Sequence, residues 1–254
     1  MTPFENNIDI VVLMAGNGSR FENSEYKTLK PLINIKGKTI LEWTLSSLPR
    51  EELEKQFITF AIRTEHDNQY NLVNFVSSLY PFTDYKMFSH LTRGNLDTAH
   101  STISSQAYIG EKPILFLDSD NLHSSQHFFE FIKKIKHEFF AATCYFEPID
   151  DSSKWCFAQI DEATGRVKDI KEKDPTALAK GYKPIIGVFY FSSVNMFRKL
   201  AKKILNTKDP VNGEFYMSQV FQEYLDNEIP VFAYKAETMI PLGTPEDVSI
   251  FAKT

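Results

Sequence analysis

Cysteine is scarce in this chain: Cys144 and Cys156 are the only two among 254 residues. Two thiols build neither a disulfide framework nor a zinc cluster, and they read as reduced core residues of a cytoplasmic protein. Long apolar runs are missing as well. The longest, at residues 185–191, falls far short of the about 20 residues a membrane helix needs, so no membrane association is expected. There is no basic block, and the formal net charge is −5, which argues against a nucleic-acid surface. The first seven residues, MTPFENN, are polar and acidic, unlike a secretory signal. Repeats, low-complexity tracts and long linkers are absent too. What is present is ordinary for a globular chain: 43% hydrophobic and 24% charged residues, in a length that suits one large domain with a real core.

The most informative stretch is residues 10–31, IVVLMAGNGSRFENSEYKTLKP. Its apolar start reads as a buried strand, 10–14. Gly16 and Gly18 then let the backbone turn sharply and bring its N–H groups close to a ligand. Successive N–H groups in such a turn suit an anion. Arg20 adds a fork of donors fitted to phosphate oxygens, and Lys27 and Lys30 follow within reach. Together these features suggest a nucleoside triphosphate held by its phosphates. Taken alone, a Gly-x-Gly after a strand is an ordinary strand-to-helix turn. The dinucleotide fingerprint fails, because Phe21 stands where a third glycine belongs, and the P-loop fails, because Leu32 precedes Gly37-Lys38-Thr39 at the leading glycine position.

Hydrophobic spacing predicts an alternation of strands and helices. Helices are expected at 39–48, 64–80, 96–108 and 124–137, the second opened by Thr64 with Asp67 and the last capped by Ser124. Strands are expected at 57–62, 85–88 and 114–117, the last ending at Asp118. Farther on, strands at 139–147, 185–191 and 231–235 join a hairpin, 157–160 with 167–170, and helices at 194–205 and 215–225. This pattern predicts an α/β fold: a single domain with a mixed, mostly parallel sheet, helices on both faces and antiparallel additions in its second half. A first half of alternating strands and helices, 1–137, precedes a second half, 138–254, that contains the hairpin. Ligands of open α/β sheets sit beyond the carboxyl ends of strands, where Gly16 and Asp118 both fall.

Several short segments carry candidate chemistry. Asp118-Ser119-Asp120 follows a buried strand, and two such carboxylates reach a hard cation that bridges phosphates. Without the glycine loop it would be a solvated turn. Thr92-Arg93-Gly94-Asn95 reads by itself as a helix start with Asn95 or Asp97 as cap. Lys171-Glu172-Lys173-Asp174-Pro175 reads by itself as a solvated charge run, and Asn212-Gly213-Glu214-Phe215-Tyr216-Met217-Ser218 as a loop entering a helix. Thr244-Pro245-Glu246-Asp247 has the residues of a helix start: a cap, a proline at the first position and acids in the first turn. His123 and His127 stand four apart, but no third metal ligand accompanies them.

The strings MAGNGSRF, Lys30-Pro31-Leu32 and Ile35-Lys36-Gly37-Lys38 resemble the sugar-phosphate nucleotidyltransferases, and within them the branch encoded in bacterial capsule clusters. The resemblance runs from about residue 8 to 248, and it implies a single Rossmann-like, GT-A type domain with a nucleotide-binding half, 1–137, and an acceptor-binding half, 138–254. It implies that Met14, Ala15, Gly16, Asn17, Gly18 and Ser19 contact the nucleotide, with Gly94 bordering the base and Asp118 nearby. Arg20 and Lys30 would take the triphosphate and Asp120 a magnesium ion. Glu172 would contact the acceptor's polar groups, Lys173 its phosphate, and Glu214 would line the acceptor pocket. Two departures stand out. Asp174 is inserted before Pro175, and Leu242 occupies the place of a second metal-binding aspartate.

The implied activity is transfer of a nucleoside monophosphate from a triphosphate to a phosphorylated acceptor, with release of pyrophosphate, for capsule or surface polysaccharide precursors. The partners are the triphosphate and a small phosphate. That acceptor is a sugar 1-phosphate, phosphocholine or an amino-acid phosphate, with cytidylyl transfer among the options. A self-associating chain is compatible with the sequence. Two other readings use the same residues: a glycosyltransferase with Asp118-Ser119-Asp120 as its metal site, and a non-catalytic nucleotide-binding module.

Overall fold

A computed structural model describes residues 8–16, 18–22, 24–80, 82–105, 112–148 and 154–254. The chain opens with strand β1 (Asp9–Leu13), then a short ribbon of β2 (Asn34–Ile35) and β3 (Lys38–Thr39) leading into helix α1 (Ile40–Leu45). Thr39 and Glu42 close that helix start with a reciprocal capping box, each side chain satisfying a backbone N–H of the other. Helix α2 (Arg50–Leu53), strand β4 (Phe57–Arg63), helices α3 (Thr64–Tyr70) and α4 (Leu72–Ser77), and strand β5 (Thr83–Phe88) follow. Next come helix α5 (Asn95–Ser105), strands β6 (Ile114–Asp118) and β7 (Asn121–His123), helix α6 (Phe128–Lys134) and strand β8 (Ala141–Tyr145). The hairpin of β9 (Cys156–Asp161) and β10 (Arg166–Glu172) leads to β11 (Lys183–Phe191), helices α7 (Val194–Thr207) and α8 (Ser218–Asp226), strands β12 (Val231–Lys235) and β13 (Met239–Pro241), and helix α9 (Pro245–Lys253).

The main sheet runs β5-β4-β1-β6-β11-β8-β12-β10-β9. Its first four strands are parallel, as are β8 and β12. Strand β11 is antiparallel to β6 and β8, and β10 is antiparallel to β12 and β9. The sheet is therefore mixed, as expected, with the antiparallel pairings in its second half, but along the strand order they are as many as the parallel ones and the sheet as a whole is not mostly parallel. A parallel return needs a crossover of a dozen residues or more. The β9–β10 turn contains only residues 162–165, so that strand can only fold straight back.

The expected helical layers on both faces are present. Along β1 the side chains alternate: Ile10 and Val12 join one core with α1, α4 and α6, while Val11 and Leu13 join another with α5, α7 and α8. A strand's period of two divides an apolar run between two cores in this way. Burial of each such side chain stabilises the fold by about 1.5–3 kcal/mol. A third, smaller cluster places Phe21 from the glycine loop against Leu242, Val248 and Phe251.

Two expected helices differ from their spacing. The 64–80 helix is two, because Asn71 takes a left-handed backbone at φ 54 and Asp67 accepts from Val73 N–H across the break. The helix expected from 124 starts at Phe128, and no side chain caps it. Ser124 N–H instead bonds the Thr238 carbonyl, beside the unforeseen pair β7–β13. The helix at 96–108 spans Asn95–Ser105, and its expected last residues lie outside the described ones.

Candidate active site

A cleft of about 550 Å³ opens at the carboxyl ends of β1 and β6. Those two strands are in register, with Leu13 beside Asp118, so pairing alone brings the glycine loop next to the acidic turn. Met14, Ala15, Gly16, Gly18, Ser19 and Arg20 line one side. Gly18 adopts φ 69, and Phe21 is buried beneath the loop as its anchor. Asn17 lies outside the described residues. Lys27 does not join the cleft; its ammonium is exposed and bonds the Ser24 carbonyl. Its position three residues from Ser24 lets a local contact win, so the loop supplies two cations, Arg20 and Lys30.

Lys30 stands in a single helical turn beside buried Pro31, and its ammonium lies 2.7 Å from Asp120 Oδ2. Burial alone would raise the Asp120 carboxyl, but Lys30's charge and hydrogen bond, with Arg20 beyond, hold it below the ordinary value. Asp118 moves the opposite way. Burial and the neighbouring Asp120 charge push it well above the carboxylate range, opposed by a hydrogen bond from Asn95 and by Lys30. The Lys30 ammonium thus keeps Asp120 as the charged carboxylate of the pair, while Asp118 beside it more readily keeps its proton.

The opposite wall comes from the second half of the chain. Glu172 ends β10 and pairs with Cys156 at the start of β9. The Ser218 hydroxyl, at the first position of α8, donates to Glu172 Oε2 at 2.5 Å. Burial raises the Glu172 carboxyl. The Cys156 thiol is pushed well up by burial and by Glu172, so it is a wall residue and not a nucleophile. Lys173, Glu214 and Tyr216 complete this side.

Residues 93–96 join the two walls. Gly94 has φ 97, and an added Cβ there would lie 2.8 Å from Phe215 N; only glycine allows that approach. Phe215 N–H donates to the Arg93 carbonyl and Leu96 N–H to the Phe215 carbonyl. Asn95 is no helix cap: its Oδ1 accepts from Met217 N–H at 2.9 Å while its side chain also bonds Asp118.

Apart from Lys27, the described site residues expected from the sequence line this one cleft: Met14, Ala15, Gly16, Gly18, Ser19, Arg20, Lys30, Gly94, Asp118, Asp120, Glu172, Lys173 and Glu214. Lys154, Trp155 and Gly187 also line it and were not foreseen, and Asp247, expected as a first-turn acid of the last helix, lines it too. A glycine inside a strand is a signal of close approach, and Gly187 could have been found that way. The ring of Trp155 carries the Lys154 ammonium 4.8 Å from its centroid, a contact that no local pattern announces. His123 and His127 form no pair: His123 is buried against Ser125, and His127 is exposed beside Glu130.

The residues present fit a hard divalent cation. Asp118 and Asp120 offer oxygen donors to the cleft, and among the described residues no group of three His, Cys, Asp or Glu is placed to hold a metal. An ion here would depend on substrate oxygens for the rest of its shell. Leu242 is fully buried against Phe21 and Val248, so its position contributes apolar packing and no ligand.

The family model of nucleotidyl transferases matches residues 10–248. The chain belongs to the nucleotidyl transferase family and is a nucleotidyltransferase. Among curated proteins no relative matches. Solved structures share the fold at low identity. A nucleoside-diphosphate-sugar pyrophosphorylase from Vibrio cholerae RC9 is 17% identical, with a TM-score of 0.76 over 96% of this chain and 100% of that one. The inositol-1-phosphate CTP transferase of T. maritima is 13% identical, with a TM-score of 0.67 over 97% and 96%. HddC from Yersinia pseudotuberculosis, complexed with GMP-PN, is 16% identical, with a TM-score of 0.61 over 97% and 98%. Among the described residues no helix is long and apolar enough to cross a membrane.

Proposed function

We propose that this enzyme transfers a nucleoside monophosphate from a triphosphate to a phosphorylated small molecule, in the synthesis of a capsule or surface polysaccharide precursor in the cytoplasm. One observation carries the reading: a triphosphate-type wall, with the glycine loop, Arg20 and Lys30, faces a wall bearing Glu172 and Lys173 across a single cleft. The first wall suits a polyphosphate and the second a small phosphate with polar groups. An acceptor phosphate oxygen attacks the α-phosphorus in line as the bond to the leaving pyrophosphate breaks. No proton need leave a carbon and no covalent enzyme intermediate is required, so positioning and charge neutralisation dominate.

In this scheme the loop N–H groups and Arg20 hold the leaving phosphates, and Lys30 serves the α-phosphate. Lys173 receives the acceptor phosphate, and Glu172 and Glu214 bond its hydroxyls. Asp120, with Asp118 beside it, would hold a magnesium ion that offsets phosphate charge.

The acceptor we favour is a sugar 1-phosphate. Aromatic faces that would serve a quaternary ammonium already carry lysines: Tyr216 holds Lys173 and Trp155 holds Lys154. The names of the fold neighbours, a nucleotide-sugar pyrophosphorylase and an inositol-1-phosphate CTP transferase, describe chemistry of the same kind. A glycosyltransferase would share the acidic turn but has no triphosphate to hold, so nothing in the loop favours it. The test is pyrophosphate release with magnesium from each of the four triphosphates, against a panel of sugar 1-phosphates, phosphocholine and amino-acid phosphates. Release that depends on both substrates supports transfer; consumption of nucleotide sugars with no triphosphate turnover replaces it with glycosyl transfer.

A further inference from the structure

Lys173 has an unusual backbone and, among the described residues, one side-chain hydrogen-bond partner. It sits at φ 53, a left-handed conformation that few non-glycine residues adopt and that clusters at functional sites. Its N–H donates to the Trp155 carbonyl at 3.0 Å, which closes the open end of the β9–β10 hairpin. The ammonium donates to the Tyr216 hydroxyl and lies 4.2 Å from the centre of that ring. Among the described residues no carboxylate is within ion-pair distance of it.

Tyr216 is itself held on every side. Its hydroxyl donates to Glu214 Oε2 at 2.5 Å, and its N–H donates to Gln219 Oε1 at 2.9 Å. The flanking Phe215 and Met217 N–H groups are bound by Arg93 and Asn95. Burial and the Glu214 hydrogen bond push the phenol above its ordinary value, so it stays protonated and uncharged while it accepts from the lysine.

We propose that Tyr216 is a positioning residue for the acceptor phosphate: its hydroxyl, anchored by Glu214, fixes the Lys173 ammonium by one N–H and leaves the other two for phosphate oxygens. A lysine on a flexible four-carbon stem otherwise loses affinity to the entropy of being ordered. The left-handed backbone directs the stem, and the tyrosine fixes its tip. The phosphate assignment rests on the proposed transfer reaction, but the Lys173–Tyr216 coupling can be measured without turnover.

The experiment is calorimetric titration of inorganic orthophosphate into wild type, Tyr216→Phe, Lys173→Ala and the double variant, with thermal melting to verify folding. Phenylalanine keeps the ring and removes only the hydroxyl. Tyr216→Phe should weaken orthophosphate about tenfold, yet change it less than about twofold once Lys173 is alanine, the non-additivity expected of groups acting as a unit. Unchanged or tighter binding in Tyr216→Phe overturns the proposal, as do additive losses. Failure of wild type to bind orthophosphate overturns it too, by removing the subsite. In turnover, Tyr216→Phe should raise the acceptor KM and leave the triphosphate KM alone. Absence of pyrophosphate release by wild type would count against the transfer reaction only.

Discussion

Gly187 faces Asp118 across the β6–β11 pairing so closely that an added Cβ would lie 2.5 Å from Asp118 Cγ. The glycine is the space in which the half-buried carboxylate stands. Gly187→Ala should therefore act through Asp118: the side chain must move or the strands must separate. Overpacking of this kind costs about 1–3 kcal/mol, and loss of one preorganised contact slows turnover about 10²-fold. Denaturant melts and steady-state rates measure the two effects separately. Wild-type turnover in Gly187→Ala would show that Asp118 can be displaced without consequence.

The loop cations should divide by position. Arg20→Ala and Lys30→Ala are each expected to slow turnover about 10²-fold or more, because both side chains line the cleft. Lys27→Ala should stay close to wild type, since its ammonium is turned toward Ser24. A Lys27 variant as slow as the Lys30 variant would mean that the loop rearranges around its ligand.

Metal binding should depend on nucleotide. With Leu242 buried and no third ligand among the described residues, two carboxylates are a weak site until phosphates complete it. Manganese titrated into the free protein, followed by electron paramagnetic resonance, should bind weakly, and added triphosphate should tighten it. Asp120→Asn should abolish that tightening. Tight binding without nucleotide would require a further ligand such as Asp247.

Away from the cleft, Glu223 is 2% exposed and receives Lys203 and Lys208 ammoniums at 2.6 Å each. Burial would raise its carboxyl, but the two lysine hydrogen bonds outweigh that and hold it below the ordinary value. A group whose folded value is depressed adds stability above its unfolded value, about 4.3, and loses it as pH falls through the folded value. Glu223→Gln should cost about 1–3 kcal/mol at pH 7, less than a fully buried pair because the lysines remain partly exposed. Urea melts of both proteins should converge as pH drops below about 4.3. A constant difference between pH 7 and 3 would assign the loss to packing.

The sequence by itself determined the local devices. The β1 run, the glycine turn, the Asp118-Ser119-Asp120 turn and the Thr244-Pro245 helix start are each written in consecutive residues. Thr244 does cap α9, accepting from Asp247 N–H at 3.1 Å. The hairpin was legible at 157–160 with 167–170, within the observed Cys156–Asp161 and Arg166–Glu172, for the same reason: a short turn leaves only one way back.

Tertiary structure decided what those devices meet. The order of strands places β11 antiparallel between β6 and β8, a choice no local period encodes. The partners of Lys173, Asn95 and Asp118 lie at Tyr216, Met217 and Gly187, many tens of residues away for Asn95 and Asp118. Asn95 shows the reason. Its short amide can cap a helix or bridge two loops at equal local cost, and only the packed position of residues 215–217 settles which bond it makes. Spacing in the chain proposes a hydrogen-bond partner within a turn or two; across the cleft, the partner is set by which strands lie side by side.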